Sequence, residues 1–165
     1  MRVQLLAFGK LKTPGLAESA KYYLKLLRSF VATDETELKP LPVPEKSEAL
    51  RRQIQDKEGA LLNEKFEKLL SPRDRVYLLD EGGKAMTTRQ WAALVREWES
   101  SDVPQVALCI GSSLGFSQEL RKRAHGILSL GPQTLPHELA RVVLTETLYR
   151  AWSVVRGHPY HNEGA

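Results

Sequence analysis

Short apolar runs, each followed by a turn-forming residue, predict the strands of this chain. The runs are rich in Val, Leu and Ile and are shorter than typical helices, which favours buried strands. Gly or Pro directly follows three of them, and the pair Gly82-Gly83 lies shortly after the fourth. The four predicted strands are Val3 to Phe8, Leu38 to Val43, Arg75 to Leu79 and Val106 to Ile110.

Between the strands, apolar residues recur every three to four positions, which is the spacing of one face of a helix. In one such stretch Trp91, Leu94 and Trp98 share a face, and Thr87 or Thr88 can cap its start. The predicted helices are Leu16 to Phe30, Lys46 to Leu70, Thr88 to Trp98 and Pro136 to Val155. Strands that alternate with helices predict the α/β class, with a mostly parallel sheet and helices on both faces.

The segment Leu128 to Leu135 is apolar but does not have the pattern of a strand. Gly131-Pro132 interrupts it, and proline cannot donate a ladder hydrogen bond, so a regular central strand is excluded. We predict a buried loop that presents backbone groups. Pro136 suits the first turn of the following helix, with Thr134 as its cap.

Composition narrows the class of protein. A chain of 165 residues is long enough for one domain with a substantial core, and 42% hydrophobic with 27% charged residues argues against disorder. The net charge of +4 favours an anionic partner only weakly. The single cysteine, Cys109, lies in an apolar run and is predicted to be a buried side chain. With no signal peptide and no apolar stretch of about 20 residues, we expect a cytoplasmic protein that does not enter a membrane.

Two loops after predicted strands are candidates for a ligand site. They are Leu79-Asp80-Glu81-Gly82-Gly83-Lys84 and Gly111-Ser112-Ser113-Leu114-Gly115. In open α/β sheets ligands bind at the carboxyl ends of the strands, and small residues let the backbone approach them. Plain turns remain an alternative for both loops. Neither fits a dinucleotide-binding or P-loop motif, so a nucleotide phosphate cradle is not predicted.

The last predicted helix and the tail after Gly157 carry further candidate groups. His137 and Arg141 are four residues apart and share a face, whereas Arg150 is either functional or a solvated partner of Glu146. The helix has a broad apolar surface, which favours contact with a second subunit. The tail His158-Pro159-Tyr160-His161 suits stacking on a base, and two histidines without further ligands rarely hold zinc, so no metal is predicted.

The C-terminal pattern resembles a known family. Its most specific parts are Thr134-Leu-Pro-His137 and His158-Pro-Tyr-His161 at this separation, and the similarity extends to Met1 to Gly9, to Asp56-Lys-Glu-Gly59 and to Leu79-Asp80 with Gly83-Lys84. The chain is similar to the RlmH (YbeA) family of SPOUT-class methyltransferases. These enzymes methylate N3 of a pseudouridine in large-subunit rRNA.

The resemblance implies a single domain over 1–165, with a deep trefoil knot in a cofactor-binding part at about 104–157 and an acceptor-side tail at 158–165. It implies a homodimer with its site near the subunit interface. The expected reaction is S-adenosyl-L-methionine-dependent methylation of N3 of a pseudouridine in the helix 69 region of 23S rRNA, on the assembled ribosome. A non-catalytic RNA- or ribosome-binding module that keeps the fold is the main alternative, and a small-molecule enzyme unrelated to RNA is a remoter one.

The resemblance also assigns residues. The positions implied for the cofactor are Leu79, Gly111, Ser112, Gly115, Leu130, Gly131, Pro132, Gln133, Thr134 and Leu135. The polar groups expected around the acceptor base, as catalytic candidates, are His137, Arg141, Tyr149, Arg150, Tyr160 and His161.

This chain departs from the family pattern at two places. Ser112 stands where relatives usually carry the second of two glycines, which implies weaker cofactor binding if the backbone there must adopt a positive φ. Asn162-Glu163 stands where a basic residue usually follows the tail motif, which implies one lost phosphate or acceptor contact. Both departures motivate the non-catalytic alternative.

Overall fold

The computed structural model describes residues 1–161, and its centre is a five-stranded parallel sheet with the strand order β2-β1-β4-β3-β5. The α/β class and the parallel sheet predicted from the sequence are confirmed. The strands are β1 (Arg2–Phe8), β2 (Ala32–Leu38), β3 (Arg75–Ala85), β4 (Gln105–Ile110) and β5 (Gly126–Ser129). The helices are α1 (Pro14–Leu27), α2 (Glu48–Leu69), α3 (Thr88–Ser100), α4 (Gln118–Arg123) and α5 (His137–Val155).

Successive side chains of a strand point to opposite faces of the sheet, and apolar side chains on both faces need helices to cover them. In β1, Val3 and Leu5 join the core formed with α1, α3 and α5. Leu6 and Phe8 join a second core formed with α2 and α4. The central strands β1 and β4 are apolar on both faces for this reason, and the result is a three-layer arrangement with the sheet in the middle.

The second strand is not where the apolar pattern predicted it. The structure places β2 at Ala32–Leu38. The predicted strand Leu38 to Val43 is therefore wrong, since only its first residue belongs to a strand. Pro40 and Pro42 lack the amide hydrogens that a ladder needs. β2 is an edge strand whose outward positions are polar, so its sequence lacks the continuous apolar run of a central strand.

The region around β5 was predicted incompletely. β5 and the short helix α4 were not foreseen, and the first two residues of the predicted loop, Leu128 and Ser129, belong to β5. A four-residue edge strand is compatible with Gly131-Pro132, which follow it, so the exclusion of a central strand holds. β3 continues past Leu79, with a register shift before Lys84 where Gly82-Gly83 lies.

The predicted helices are all present, with ends shifted by a few residues. Thr87 caps α3 and forms a capping box with Gln90. α5 begins at His137 with Pro136 in the cap position, and no side chain caps it. Thr134 is therefore wrong as the cap; its hydroxyl donates to the Glu81 carboxylate instead. α5 packs between α1 and α3 and ends before Gly157, whose φ of +64° is the left-handed conformation common after helices.

Candidate cofactor site

A cleft of about 780 Å³ lies at the carboxyl ends of β3, β4 and β5. Its size falls in the range typical of small-molecule sites. Three stretches of the chain form its walls: Leu79 to Glu81 within β3, the loop 111–116 after β4, and the segment 130–136 that leads into α5. Helix side chains also line the cleft: Arg51 and Gln55 of α2, Gln118 and Arg121 of α4, and His137 and Ala140 of α5.

The loop after β4 needs two of its glycines for different reasons. A Cβ on Gly111 would lie 3.2 Å from the Phe116 ring, so this position leaves little space for a side chain. Gly115 has a φ of +72°, in the left-handed region that favours glycine. Ser112 has no such strain, because Asp102 is the only non-glycine residue among 1–161 with a positive φ. The serine therefore fits the backbone that this chain adopts.

Side chains from α2 and α4 hold the loop 111–116 and the adjoining part of β3 in place. The Ser112 hydroxyl donates to Oε1 of the buried Glu58 at 2.6 Å, and Gln55 donates to the Leu114 carbonyl at 2.6 Å. Beside Gly115 of the same loop, Arg121 of α4 pairs with Asp80 of β3 at 2.5 Å. The cleft is held by hydrogen bonds that stiffen its rim.

The segment 130–136 is shaped by short-range hydrogen bonds. The Ser129 hydroxyl donates to the Gly131 carbonyl at 2.7 Å and accepts from the Gly131 amide at 3.1 Å. Gly131 has a φ of +144°, which a larger residue would rarely adopt. Leu130, Gly131, Gln133, Thr134 and Leu135 line the cleft, whereas the exposed Pro132 does not.

Among the acceptor-side candidates, only His137 lines the cleft. Its ring packs against Gly9, where a Cβ would come within 2.5 Å of His137 Cε1. The Nδ1 atom of His137 is buried and has no hydrogen-bond partner among the described residues. His137 is therefore fixed by the backbone at the end of β1, with Gly9 at a φ of +95°.

Arg141 lies on the same side of α5 but away from the cleft lining. Its guanidinium is buried and pairs with Glu37 at 2.8 Å and with Glu35 at 3.0 Å, both on the edge strand β2. The structure thus places this side chain in contact with β2.

Three of the remaining candidates, Tyr149, Arg150 and Tyr160, form a second group around the C-terminal half of α5. Tyr149 and Tyr160 have ring centroids 4.5 Å apart, and the Arg150 guanidinium lies 4.9 Å from the Tyr160 ring centroid. Tyr160 donates to Glu146 at 3.1 Å, and Arg150 also pairs with Glu146. Burial, together with hydrogen bonding to Tyr23 and the nearby Glu146 charge, raises the pKa of Tyr160.

This group adjoins the cleft through a smaller pocket of about 180 Å³. Arg150 and Glu146 line that pocket, as do Leu130 and Gly131, which also line the main cleft. His161 is half-buried and is the last residue that the structure describes. The departure at Asn162-Glu163 lies outside the described residues.

Several cleft residues were not foreseen as individual site residues. Arg51 and Gln55 come from α2, whose Glu58 contacts the loop after β4 without lining the cleft, and Arg121 comes from the unpredicted α4. The only signal in the sequence was the Asp56 to Gly59 element, which contains Glu58. Its role becomes visible only when α2 is seen beside the loop after β4.

Other groups have no place in the cleft. Cys109 is fully buried in the sheet, and burial raises the pKa of its thiol. Over residues 1–161, no cluster of three His, Cys, Asp or Glu side chains could hold a metal ion. Within the same range, no helix combines the length and apolar character needed to span a bilayer.

The parallel sheet, the cleft at its carboxyl ends and the irregular segment before α5 define an α/β domain with a site for a small ligand. The family described as "Predicted SPOUT methyltransferase" matches residues 1–161, and the chain belongs to that family. This confirms the resemblance inferred from the sequence motifs.

Individual relatives match over nearly their whole length. A protein named "Ribosomal RNA large subunit methyltransferase H" from Streptococcus equi subsp. zooepidemicus is 37% identical over 162 residues, covering 98% of this chain and 99% of the relative. Proteins of the same name from Desulfitobacterium hafniense and Listeria monocytogenes are 35% and 37% identical, each covering 98% of this chain and 99% of the relative.

Solved structures share the fold at low sequence identity. A probable methyltransferase from Bordetella pertussis superposes with a TM-score of 0.54 at 17% identity, covering 92% of this chain and 96% of its own. A putative RNA methyltransferase from Bacillus anthracis gives a TM-score of 0.51 at 12% identity, covering 99% of both chains. These likenesses concern the fold alone.

Proposed function

We propose that this protein transfers the methyl group of S-adenosyl-L-methionine to a base in large-subunit ribosomal RNA. The observation that carries the proposal is the end-to-end similarity to proteins named ribosomal RNA large subunit methyltransferase H, at 35 to 37% identity. The cleft supports it, because it offers a stiffened, partly apolar space in which exposed backbone groups surround a ligand. An rRNA substrate would place the protein with the ribosome in the cytoplasm.

The cleft residues fit the cofactor. Apolar side chains at Leu79, Leu130 and Leu135 can enclose an adenine ring, and the backbone of the two glycine-containing segments can bind its polar edge. Asp80 and Glu81 of β3, which already contact Arg121 and Thr134, can also offer carboxylate oxygens to an ammonium or a ribose. When bound, the cofactor supplies an electrophilic methyl group, and the protein's part is to hold the acceptor nitrogen in line with it.

More specifically, we propose that the methyl acceptor is N3 of a pseudouridine in the helix 69 region. The side chains that would surround this base are Tyr149, Arg150 and Tyr160 at the C-terminal half of α5 and in the tail. His161 and the cleft residue His137 would join them. Arg150 would hold a uracil oxygen or a phosphate, since a guanidinium donates hydrogen bonds in a fixed fork. Arg141 keeps a supporting role in this proposal, because both of its carboxylate partners lie on β2.

We also propose the trefoil knot and the homodimer that the resemblance implies. The segment 130–136 leads from β5 at one edge of the sheet to α5, whose first residue contacts Gly9 after β1. It therefore passes across the ends of β3 and β4, as a threaded segment would. For the dimer, the half-buried Leu139, Val142 and Val143 on α5 offer an apolar face to a second copy.

The test is methyl transfer to ribosomes from a strain that lacks this protein. Purified protein and labelled cofactor are expected to label large-subunit rRNA, and nucleoside mass mapping is expected to locate a methylated pseudouridine. Calorimetry is expected to show cofactor binding at micromolar levels. Absence of cofactor binding, with and without ribosomes, would contradict the proposal.

The non-catalytic alternative is favoured by one observation, the Asn162-Glu163 pair in place of a basic residue. A binding module would associate with ribosomes, more weakly as salt rises, and would transfer no methyl group. The labelled-methyl assay therefore separates the two functions directly.

A further inference from the structure

Glu58 is a buried carboxylate with an unusual set of partners. It lies on the inner face of α2 and is 3% exposed. Its Oε1 accepts a hydrogen bond from the Ser112 hydroxyl at 2.6 Å, and its Oε2 accepts one from the Leu41 amide at 3.2 Å. Among residues 1–161 no Lys, Arg or His pairs with it. A buried carboxylate without a cation depends on such donors.

The Ser112 hydroxyl is satisfied in both directions. It donates to Glu58 and accepts from the Leu114 amide at 3.3 Å. One turn before Glu58 on the same helix, Gln55 donates to the Leu114 carbonyl. Two side chains of α2 therefore hold two residues of the loop that lines the cofactor cleft.

We propose that Glu58 is a positioning residue for the cofactor loop, acting through the Ser112 hydroxyl. This inference rests on the proposed function, because it concerns the binding of S-adenosyl-L-methionine. It reverses the expectation that Ser112 weakens the site. In this chain the serine stiffens the loop and supplies the hydrogen bond that the Glu58 carboxylate requires.

The physical basis is preorganisation. A loop that is held in its binding conformation binds without an ordering cost. If the hydrogen bond is lost, the competent conformation is populated for only a fraction of the time, and the apparent Kd rises by the reciprocal of that fraction. Removing the hydroxyl also leaves the carboxylate short of a donor, and loop rearrangement would relieve that cost.

The first experiment is calorimetric titration of the full chain with S-adenosyl-L-methionine. Ser112→Ala and Ser112→Gly are expected to raise the Kd roughly tenfold, which is the effect of losing one hydrogen bond to a buried charged group. Ser112→Thr keeps the hydroxyl and is expected to bind within about threefold of the wild type. The control is Glu64→Gln, which removes an exposed carboxylate of α2 and is expected to leave the Kd at the wild-type value.

The second experiment tests whether Glu58 and Ser112 act as a pair. In a double-mutant cycle, Ser112→Ala is expected to add nothing to the Kd of a Glu58→Ala protein, since the partner is already gone. Urea unfolding of the cofactor-free variants is measured in parallel. A purely structural role would lower the free energy of unfolding and leave the Kd of the folded protein unchanged. Should Glu58→Ala fail to fold, the Kd values of the three Ser112 variants test the inference by themselves.

Three outcomes would overturn the inference: a Kd for Ser112→Ala equal to that of the wild type, tighter binding by Ser112→Gly, or a Ser112→Thr protein as weak as Ser112→Ala. Wild-type protein that binds no S-adenosyl-L-methionine would instead contradict the proposed function. The two failures are thus distinguishable.

Discussion

At the residue scale, two glycines near the ends of strands are required by their surroundings. Gly9 has a φ of +95° and lies against the His137 ring, and Gly83 lies where a Cβ would be 2.8 Å from the backbone of β5. Each allows a close approach that any side chain would prevent. Glycines at these positions thus decide how closely the elements around the cleft can pack.

We expect Gly9→Ala to lower the free energy of unfolding by about 2 kcal/mol, since it adds left-handed strain and a clash with His137. Urea unfolding measures the effect. Gly15→Ala is the control, because a Cβ at Gly15 in the first turn of α1 meets nothing within 4 Å. Equal stability of the two variants would show that the Gly9 backbone relaxes freely.

At the element scale, α5 is connected to two neighbours by polar side chains. Glu138 accepts hydrogen bonds from the Lys12 and Thr13 amides and from the Thr13 hydroxyl, which joins α5 to the start of α1. Arg141 joins α5 to the edge strand β2 through Glu35 and Glu37. The Glu138 contacts therefore hold the end of the loop after β1 against the first turn of α5.

The Glu138 contacts predict a contribution to acid sensitivity. Hydrogen bonds from the Thr13 backbone, and then from the Lys12 backbone, lower the pKa of Glu138 from its ordinary value of 4.5. A lowered pKa means that the stabilisation is present above pH 4.5 and is lost as the pH falls through the folded-state pKa. Glu138→Gln is expected to reduce the loss of unfolding free energy below that pH. Glu18→Gln, on the exposed face of α1, should retain the wild-type profile.

Arg141 is expected to contribute to stability through β2. The Arg141 side chain is 6% exposed, but its partners Glu35 and Glu37 are 26% and 38% exposed, so solvent screens much of the attraction. Arg141→Gln is expected to cost about 2 kcal/mol of unfolding free energy. In a double-mutant cycle, Glu37→Gln should cost less in the Arg141→Gln background than alone. Strictly additive effects would exclude the pairing.

At the scale of the whole molecule, the tail folds back on α5. The His158 amide donates to the Ser153 carbonyl at 2.9 Å, and Tyr160 packs between Tyr149 and Arg150. The tail therefore packs on the outside of the first core, which Tyr160 contacts without being fully buried in it.

We expect truncation after Gly157 to leave a folded protein, still in the proposed dimer, that transfers little methyl group to ribosomes. The physical reason is that the deletion removes Tyr160 and both tail histidines while leaving the two buried cores complete. Gel filtration, thermal unfolding and the labelled-methyl assay measure the three parts of this prediction. Loss of folding would mean that the tail is structural.

The sequence by itself determined the class of the fold and the family. Apolar runs and helical spacing are local properties, so the central strands β1, β3 and β4 and the four long helices could be predicted from them. The motifs around His137 and at His158 to His161 identified the family for the same reason. Thr87 as a helix cap and Cys109 as a buried side chain also followed from neighbouring residues.

Only the tertiary structure decided what depends on distant neighbours. The polar edge strand β2 is a strand because β1 pairs with it, and the short β5 exists because β3 extends alongside it. The tertiary structure also gives His137 and Arg141 different surroundings, although both lie on one side of α5. His137 lines the cleft, whereas Arg141 pairs with carboxylates of β2. Ser112 is a departure from the family pattern in the sequence, and only the folded chain brings its hydroxyl to Glu58, 54 positions away, which accepts its hydrogen bond. Burial and long-range pairing are properties of the folded chain, and no local pattern contains them.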